Sequence, residues 1–513
     1  MHNRRIHLGR PAALLITLLA GACSGDEPAN GGSSTPAVPA AGAPNVLLIT
    51  LDTTRPDFLS TYGGRGEPTP NFDALAADGI RFDQAVSSSA VTPVSHATIL
   101  TGQFPYGHGL RVLAGAGGFR LPAEVPTLAT QFKNAGYRTA AVHSAFPVSS
   151  YFGLTRDFDF VDSFDGVMAG ESDELSTWPI DKLQRRAGES IGHALKWIQQ
   201  DDERPFFVWL HLWDPHDSAL LPPKKFLAGL KTDAAGGFHP EQIYAREIAF
   251  VDMHVGRMVA KLQESGHWDE TLTAVVADHG EGLLDGLELH NWFNHRMLYR
   301  EQIQVPLILR LPSALTQRGL SSSELVRSAD VAPTILDYCG LPVPEATHGR
   351  SLRALIEGTE DAPRIAYADQ VNAFDSNAGM VRKRPDAAFL FSVQEGPWKL
   401  IWRPHMVASS ELFNLAADPR EQVNLWESET ETRTRLLEDL AARRPWVLEP
   451  FAPVDGQVQD VAGALSALGY GGADETEGLV WTWTCPEHLE RRDDRSGRCP
   501  QCERRLLPVT TWK

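Results

Sequence analysis

The sequence predicts an α/β fold: a three-layer α/β/α sandwich carrying a smaller C-terminal α+β subdomain and a short metal-binding ribbon. Two observations predict the sandwich. From Asn45 onward, short and almost wholly apolar runs alternate with stretches of helical character, and three of those runs are followed within two residues by an acid. A third observation, paired cysteines near the end of the chain, predicts the ribbon.

The apolar runs are NVLLITL (Asn45–Leu51), RTAAVHS (Arg138–Ser144), FFVWLHL (Phe206–Leu212), LTAVVA (Leu272–Ala277) and VPLILRL (Val305–Leu311). Strands buried on both faces of a parallel or mostly parallel sheet have this composition. TLATQFKNAGY (Thr127–Tyr137) and AREIAFVDMHVGRMVAKLQESG (Ala245–Gly266) are the clearest helices between them. The alternation places helices on both faces of the sheet.

A chain of 513 residues with 42% apolar and 22% charged residues suits a folded protein with a large core. Its net charge of -18 argues against nucleic acid as a partner, because phosphate contacts need clustered Lys and Arg. The N-terminus reads as an export signal. Arg4, Arg5 and Arg10 precede an apolar run, Ala12–Ala20, that is too short to span a bilayer. The run ends in LLAGAC, which makes Cys23 the expected lipidated first residue of a bacterial lipoprotein; ordinary cleavage after Ala20-Gly21-Ala22 is the alternative. Residues Ser24–Pro44 are rich in Gly, Ser, Pro and Ala and read as a flexible tether from a membrane anchor in the cell envelope. Of five cysteines only Cys339 lies in the body of the chain, so no disulfide framework holds the main domain.

In open α/β sheets ligands lie beyond the carboxyl ends of the strands. Asp52, Asp214 and Asp278 all stand at such ends, and three carboxylates on one rim suggest a site. A single acid after a strand is often only a helix cap. Asp278 has more to offer because His279 follows it, pairing an oxygen with an imidazole ligand for a divalent cation. In HLWDPHDS (His211–Ser218), His216 has the options of ligand, acid and substrate contact, whereas His211 is expected to pack within its strand. Thr92, in SAVTPVSHATILTG (Ser89–Gly102), places a hydroxyl at a loop-to-helix junction.

NVLLITLDTTRPDFLSTYGG, TPNFDALAADGIRF, the Thr92 segment, PFFVWLHLWDPH, DHGEG, LYREQIQVPLILRLP and ELFNLAADPREQVNL together resemble the sulfatase family of the alkaline phosphatase superfamily, in order and spacing, over roughly residues 45–470. The resemblance implies a catalytic core over 45–365 and a C-terminal sheet subdomain over 366–475, after a signal at 1–22 and a linker at 23–44. By position it implies that Asp52, Asp278 and His279 hold a divalent ion (Zn, Mn or Ca) with Thr92 as nucleophile. His96, His216 and His295 join it as catalytic residues, with His143, Asp214 and His290 as substrate contacts. Relatives place a proton donor or a second metal ligand where HNWFNH supplies His290 and His295, and both remain open.

The departures matter as much. The family keeps a Cys or Ser followed by x-Pro-Ser-Arg, oxidised to a formylglycine, where this chain has Thr92-Pro93-Val94-Ser95-His96. Oxidation of a threonine gives a ketone, so the hydrated aldehyde is not available. The family's second Asp is Thr53, and its Gly-Lys-x-His segment is replaced around His143-Ser144-Ala145-Phe146, removing a Lys and a His that would hold sulfate. A phospho-threonine can be attacked in line at phosphorus while a metal neutralises the equatorial oxygens, and coordination activates the hydroxyl. Thr92 chemistry therefore favours phosphate mono- or diesters, or phospho-group transfer, over sulfate esters. A non-catalytic, metal-binding surface lipoprotein is the alternative from another class.

At the far end, WTCPEHLERRDDRSGRCPQCERRLLPV carries Cys485-x2-His488 and Cys499-x2-Cys502, the spacing of a tetrahedral site. It resembles the heavy-metal-binding module of metal-efflux proteins, although Glu487 and Glu503 or Arg504 stand where that module has Met and Gly-Met. A zinc ribbon over 480–513 is the expectation.

Overall fold

The computed structural model describes residues 39–512 apart from 114–119, 165–182, 217–220, 231, 233–237, 284–289, 291–294, 316, 376–380, 382–383, 444–478, 486, 492, 494–496 and 505. The signal, Cys23 and most of the tether lie outside the described residues.

Eight strands form one sheet: β1 (Asn45–Leu51), β2 (Ile80–Val86), β3 (Arg138–Val142), β4 (Phe160–Asp162), β5 (Phe206–Leu212), β6 (Thr271–Ala277), β7 (Gln304–Arg310) and β8 (Leu320–Arg327). Their spatial order is β4-β3-β5-β1-β6-β7-β2-β8. All run parallel except β7, which pairs antiparallel with β6 and β2. Each of the five apolar runs forms a strand, and β1, β5 and β6 are buried at every position. Burying each large aliphatic side chain there contributes about 1.5–3 kcal/mol before entropy is charged against it. The other three strands gave no apolar run for a physical reason. β4 has three residues, and β8 (LSSSELVR) is an exposed edge strand. β2 (IRFDQAV) carries Arg81, Asp83 and Gln84 on partly solvated positions.

Two groups of helices pack with the sheet. Pro240–Glu264 contacts Pro70–Ala77 and Ala187–Ile198, while Thr92–Thr101 contacts Leu128–Asn134 and Val331–Tyr338. The expected helix over Ala245–Gly266 begins five residues earlier, at Pro240, whose fixed φ suits a first helical turn.

A second, four-stranded antiparallel sheet follows: β9 (Ile365–Gln370), β10 (Leu390–Glu395), β11 (Trp398–Trp402) and β12 (Glu411–Asn414), in the order β12-β11-β10-β9. Leu436, Leu437 and Leu440 of the helix Thr430–Arg443 share its core with Trp402 and Trp426. This subdomain grips the segment leading into β7. Arg296 pairs with Asp375, and the Tyr299 hydroxyl donates to Glu411 at 2.9 Å. The Arg300 amide donates to Glu421 at 2.9 Å, and the Glu421 carboxylate, fully buried, is neutralised by Lys399 at 2.6 Å. Because β7 runs against its neighbours, that gripped segment lies at the same rim as the carboxyl ends of β1, β5 and β6.

The last element is a hairpin of β13 (Leu479–Thr484) and β14 (Leu507–Trp512). Between its strands lie Cys485, His488, Cys499 and Cys502, with Trp483 and Leu489 packed on the subdomain core. Arg504 links the two parts by pairing with Glu438 of the helix Thr430–Arg443 at 2.5 Å.

Candidate active site

The site is an extension of the central ladder. Leu51 is paired with Leu212 on one side and Ala277 on the other. Beyond the last pairs, Asp52 N–H donates to the Leu212 carbonyl at 2.9 Å and Asp278 N–H to the Leu51 carbonyl at 3.2 Å. Two neighbouring parallel strands thus deliver Asp52 and Asp278 side by side, both fully buried. One oxygen of each is held. Asp278 Oδ1 accepts from the amides of Thr53 at 3.0 Å and His279 at 2.7 Å. Thr53 reaches it from a left-handed conformation (φ 48°), uncommon for a β-branched residue. Asp52 Oδ2 lies 3.0 Å from His211 Nε2. His211 therefore does more than pack within β5: it orients the strand-end carboxylate.

The other two oxygens, Asp52 Oδ1 and Asp278 Oδ2, have no hydrogen-bond partner. Burial raises the pKa of both acids well above the carboxylate range, and the Asp278 charge pushes Asp52 further. Two adjacent buried carboxylates stay ionised only beside a cation.

The remaining donors suit a metal. His279 Nδ1 donates to the Gly280 carbonyl at 2.9 Å, which leaves Nε2 as the lone-pair nitrogen. Burial holds this imidazole neutral, as a ligand must be. Ligand atoms of Asp52, Asp278 and His279 all lie within 4.8 Å of one another. Thr92 begins the helix Thr92–Thr101, with Pro93 in its first turn, and its Oγ1 is 3.3 Å from His279 Nε2. His96, one turn on, donates from Nδ1 to the Thr92 carbonyl at 2.7 Å, with Asp278 Oδ2 at 3.5 Å. Burial lowers its pKa to about 4, so it is a neutral prop.

On the opposite flank, the His295 ring lies 4.5 Å from that of His279 and 5.1 Å from that of His216, which stacks on Trp213 at 3.8 Å. His143 lies behind the site, 4.3 Å from Trp209 and 6.2 Å from His211, with neither ring nitrogen hydrogen-bonded. Two expected members are engaged elsewhere. Asp214 Oδ2 accepts at 2.8 Å from the amide of Ala187, the first residue of the helix Ala187–Ile198, which lies before β5 in the chain. His290 stacks on Tyr299 and bridges Glu301, at 3.1 Å, to the Glu421 carbonyl, at 2.9 Å. The structure thus separates the two histidines of HNWFNH and places only His295 beside His279.

Sequence reasoning missed Glu281 and Arg296. Glu281 Oε2 is 3.4 Å from His295 Nδ1, and burial lifts its carboxyl to about 8. Arg296 is buried at φ 108°, a strained setting for a side-chain-bearing residue. Burial keeps His295 neutral, and the Arg296 charge adds to that effect there and at His216 and His279. Neither residue stands at a strand end, so the only signal was adjacency to DHG and to His295.

Fold and site together define a hydrolase of the alkaline phosphatase type, an enzyme acting on ester bonds. The sulfatase family model matches residues 44–341, more than half of the chain, and the C-terminal model of N-sulphoglucosamine sulphohydrolase matches residues 288–444. The chain belongs to the sulfatase family. It is 25% identical to an arylsulfatase of Clostridium perfringens, with 75% of this chain and 91% of that one covered. It is 24% identical to an N-acetylglucosamine-6-O-sulfatase of Bacteroides thetaiotaomicron, over 75% and 82%. A phosphonate monoester hydrolase of Agrobacterium radiobacter shares the fold, with a TM-score of 0.61, 22% identity and coverage of 79% and 96%. Members of this family use a divalent metal ion in the active site.

His211→Phe keeps the ring volume and removes the bond to Asp52. Loss of such an outer partner is expected to weaken divalent-ion affinity roughly 10- to 100-fold, read by metal titration calorimetry. Unchanged affinity would contradict the orienting role.

Proposed function

We propose that the chain hydrolyses sulfate monoesters through a covalent intermediate on Thr92. The observation that carries this is the Thr92 hydroxyl at a buried Asp52–Asp278–His279 cluster in which one oxygen of each carboxylate makes no hydrogen bond, a donor set that suits a cation. Thr92 Oγ1 attacks sulfur as the ester oxygen leaves from the opposite side; water then cleaves the sulfo-threonine to sulfate and free Thr92. Asp52, Asp278 and His279 would hold the ion, which when bound lowers the hydroxyl pKa and neutralises charge on the transferred group. The imidazole in the set suits zinc or manganese better than calcium, which prefers oxygen ligands throughout. In this reading His96 props the nucleophile, the neutral His216 and His295 rings offer N–H donors to the departing ester oxygen, which ends with the proton given up by the Thr92 hydroxyl, and Arg296 offers a guanidinium to the anion.

Thr92 chemistry alone ranks phosphate ahead of sulfate; the sulfatase relatives, matched over most of their length, weigh the order the other way. The second reading, phosphate or phosphonate monoester hydrolysis, is kept because Thr92 gives no formylglycine. Metal-loaded enzyme is expected to turn over 4-nitrophenyl sulfate faster than the matching phosphate and phenylphosphonate. Thr92→Ala is expected to lower turnover at least about a thousandfold. Phosphate or phosphonate turnover without sulfate turnover would establish the second reading, and full turnover by Thr92→Ala would sink both.

Two further proposals concern the ends of the chain. Cys485, His488, Cys499 and Cys502 have ligand atoms within 4.8 Å of one another, and we assign them a structural zinc ion. Purified protein is expected to lose one zinc per chain in Cys499→Ser while keeping ester turnover; unchanged zinc content would refute the site. Cys23 is proposed as the lipid attachment point of an envelope lipoprotein, on the LLAGAC segment. Palmitate labelling is expected to vanish in Cys23→Ala, and persistent labelling would overturn this.

A further inference from the structure

The turn after β1 holds a conformation that its sequence does not favour. Thr53 stands at φ 48°, and its amide is one of the two that fix Asp278 Oδ1. In that region the Cβ of a β-branched residue crowds the following carbonyl, so an isolated turn would relax out of it. A contact from outside the turn must hold it. Tyr244, on the helix Pro240–Glu264, supplies one. Its buried hydroxyl donates to the Thr53 carbonyl at 2.6 Å and accepts from the Arg55 amide at 2.8 Å. One phenol oxygen thus fixes the peptide units on both sides of Thr54.

The tyrosine is itself firmly seated. Its ring meets Phe58 edge-on, with centroids 4.8 Å apart. On the same helix Glu241 pairs with Arg65 at 2.7 Å, and Asp252 accepts from the amides of Asn71 and Phe72 at 3.0 and 2.8 Å. The helix is therefore docked at three points on the segment between β1 and β2. Burial pushes the phenol well above its usual pKa, so the hydroxyl keeps the proton it donates. The path to the ion site is short. Tyr244 holds the Thr53 carbonyl, and the Thr53 amide holds Asp278 Oδ1 at 3.0 Å. That leaves Asp278 Oδ2, 3.4 Å from His279 Nε2, as the oxygen that makes no hydrogen bond.

We propose that Tyr244 is a positioning residue of the active site: its hydroxyl keeps the Thr53 turn left-handed and so aims Asp278 at the divalent ion. The proposal deepens the metal-assisted reading above and rests on it. Tyr244 lies outside the ion-binding cluster and acts through Thr53. Without the hydroxyl, the Thr53 carbonyl and the Arg55 amide lose their shared partner. The turn is then released toward conformations in which its amide no longer points at Asp278.

The test titrates manganese(II) into the full-length protein by calorimetry; thiolates such as those of the C-terminal cluster disfavour this ion. Tyr244→Phe keeps the ring and is expected to bind manganese roughly tenfold more weakly, in the range for an outer partner of a metal ligand. A glycine takes φ 48° without strain. In a Thr53→Gly background the same change should therefore weaken binding less than about threefold. Unfolding temperatures of the ion-free proteins are read alongside. Unchanged manganese affinity in Tyr244→Phe, whatever its unfolding temperature, would leave the residue merely structural and overturn the proposal. An equal loss of affinity in both backgrounds would overturn it too. Wild type that binds no manganese would sink the ion site and this role together. The expected affinities in an enzyme that turns over no ester would leave the role standing and fail the ester reading.

Discussion

The organisation of this protein follows from one electrostatic constraint: two carboxylates, Asp52 and Asp278, lie side by side with no exposure to water. Each has one oxygen fixed by the fold and one that makes no hydrogen bond. In so dry a setting a paired negative charge is costly, and a divalent ion is the compact way to compensate it. Everything near the pair serves that end. The ladder of β1 with β5 and β6 sets their separation, the strained turn at Thr53 aims an amide at Asp278, and His211 fixes Asp52. His279 turns its lone-pair nitrogen inward because Nδ1 is committed to a carbonyl.

The second constraint is mechanical. β7 runs against its neighbours, so the segment entering it must sit on the catalytic rim, and the antiparallel subdomain holds that segment through Asp375, Glu411 and Glu421. The strained backbone at Arg296 persists because the Asp375 pair and surrounding packing over-determine it. Active-site geometry thus depends on a separate sheet remote in sequence.

Legibility of the sequence follows burial. β1, β5 and β6, buried on both faces, stood out as apolar runs, and the acids after β1 and β6 came with them. β2, β4 and β8 carry polar residues or are very short, and periodicity is silent there. Asp52, Asp278, His279 and Thr92 were nameable because they stand just past strand ends or at a helix start. Asp214 shared the strand-end signature yet binds the first amide of the helix Ala187–Ile198, a distinction only three dimensions make. His211 acts on Asp52 far away in sequence, so no local spacing marked it, while Glu281 and Arg296 were marked only by adjacency to DHG and to His295. The two histidines differ in position: His290 stacks on Tyr299, and the His295 ring lies 4.5 Å from that of His279.

The central claim is that Thr92 carries the transferred group while a divalent ion sits on Asp52, Asp278 and His279. It is tested most directly by mass spectrometry of acid-quenched enzyme during steady-state turnover of 4-nitrophenyl sulfate, with and without added divalent metal. The prediction is a sulfo-adduct on the Thr92 peptide that forms only with metal present. Steady turnover in metal-free enzyme, or an adduct on any other residue, would contradict it.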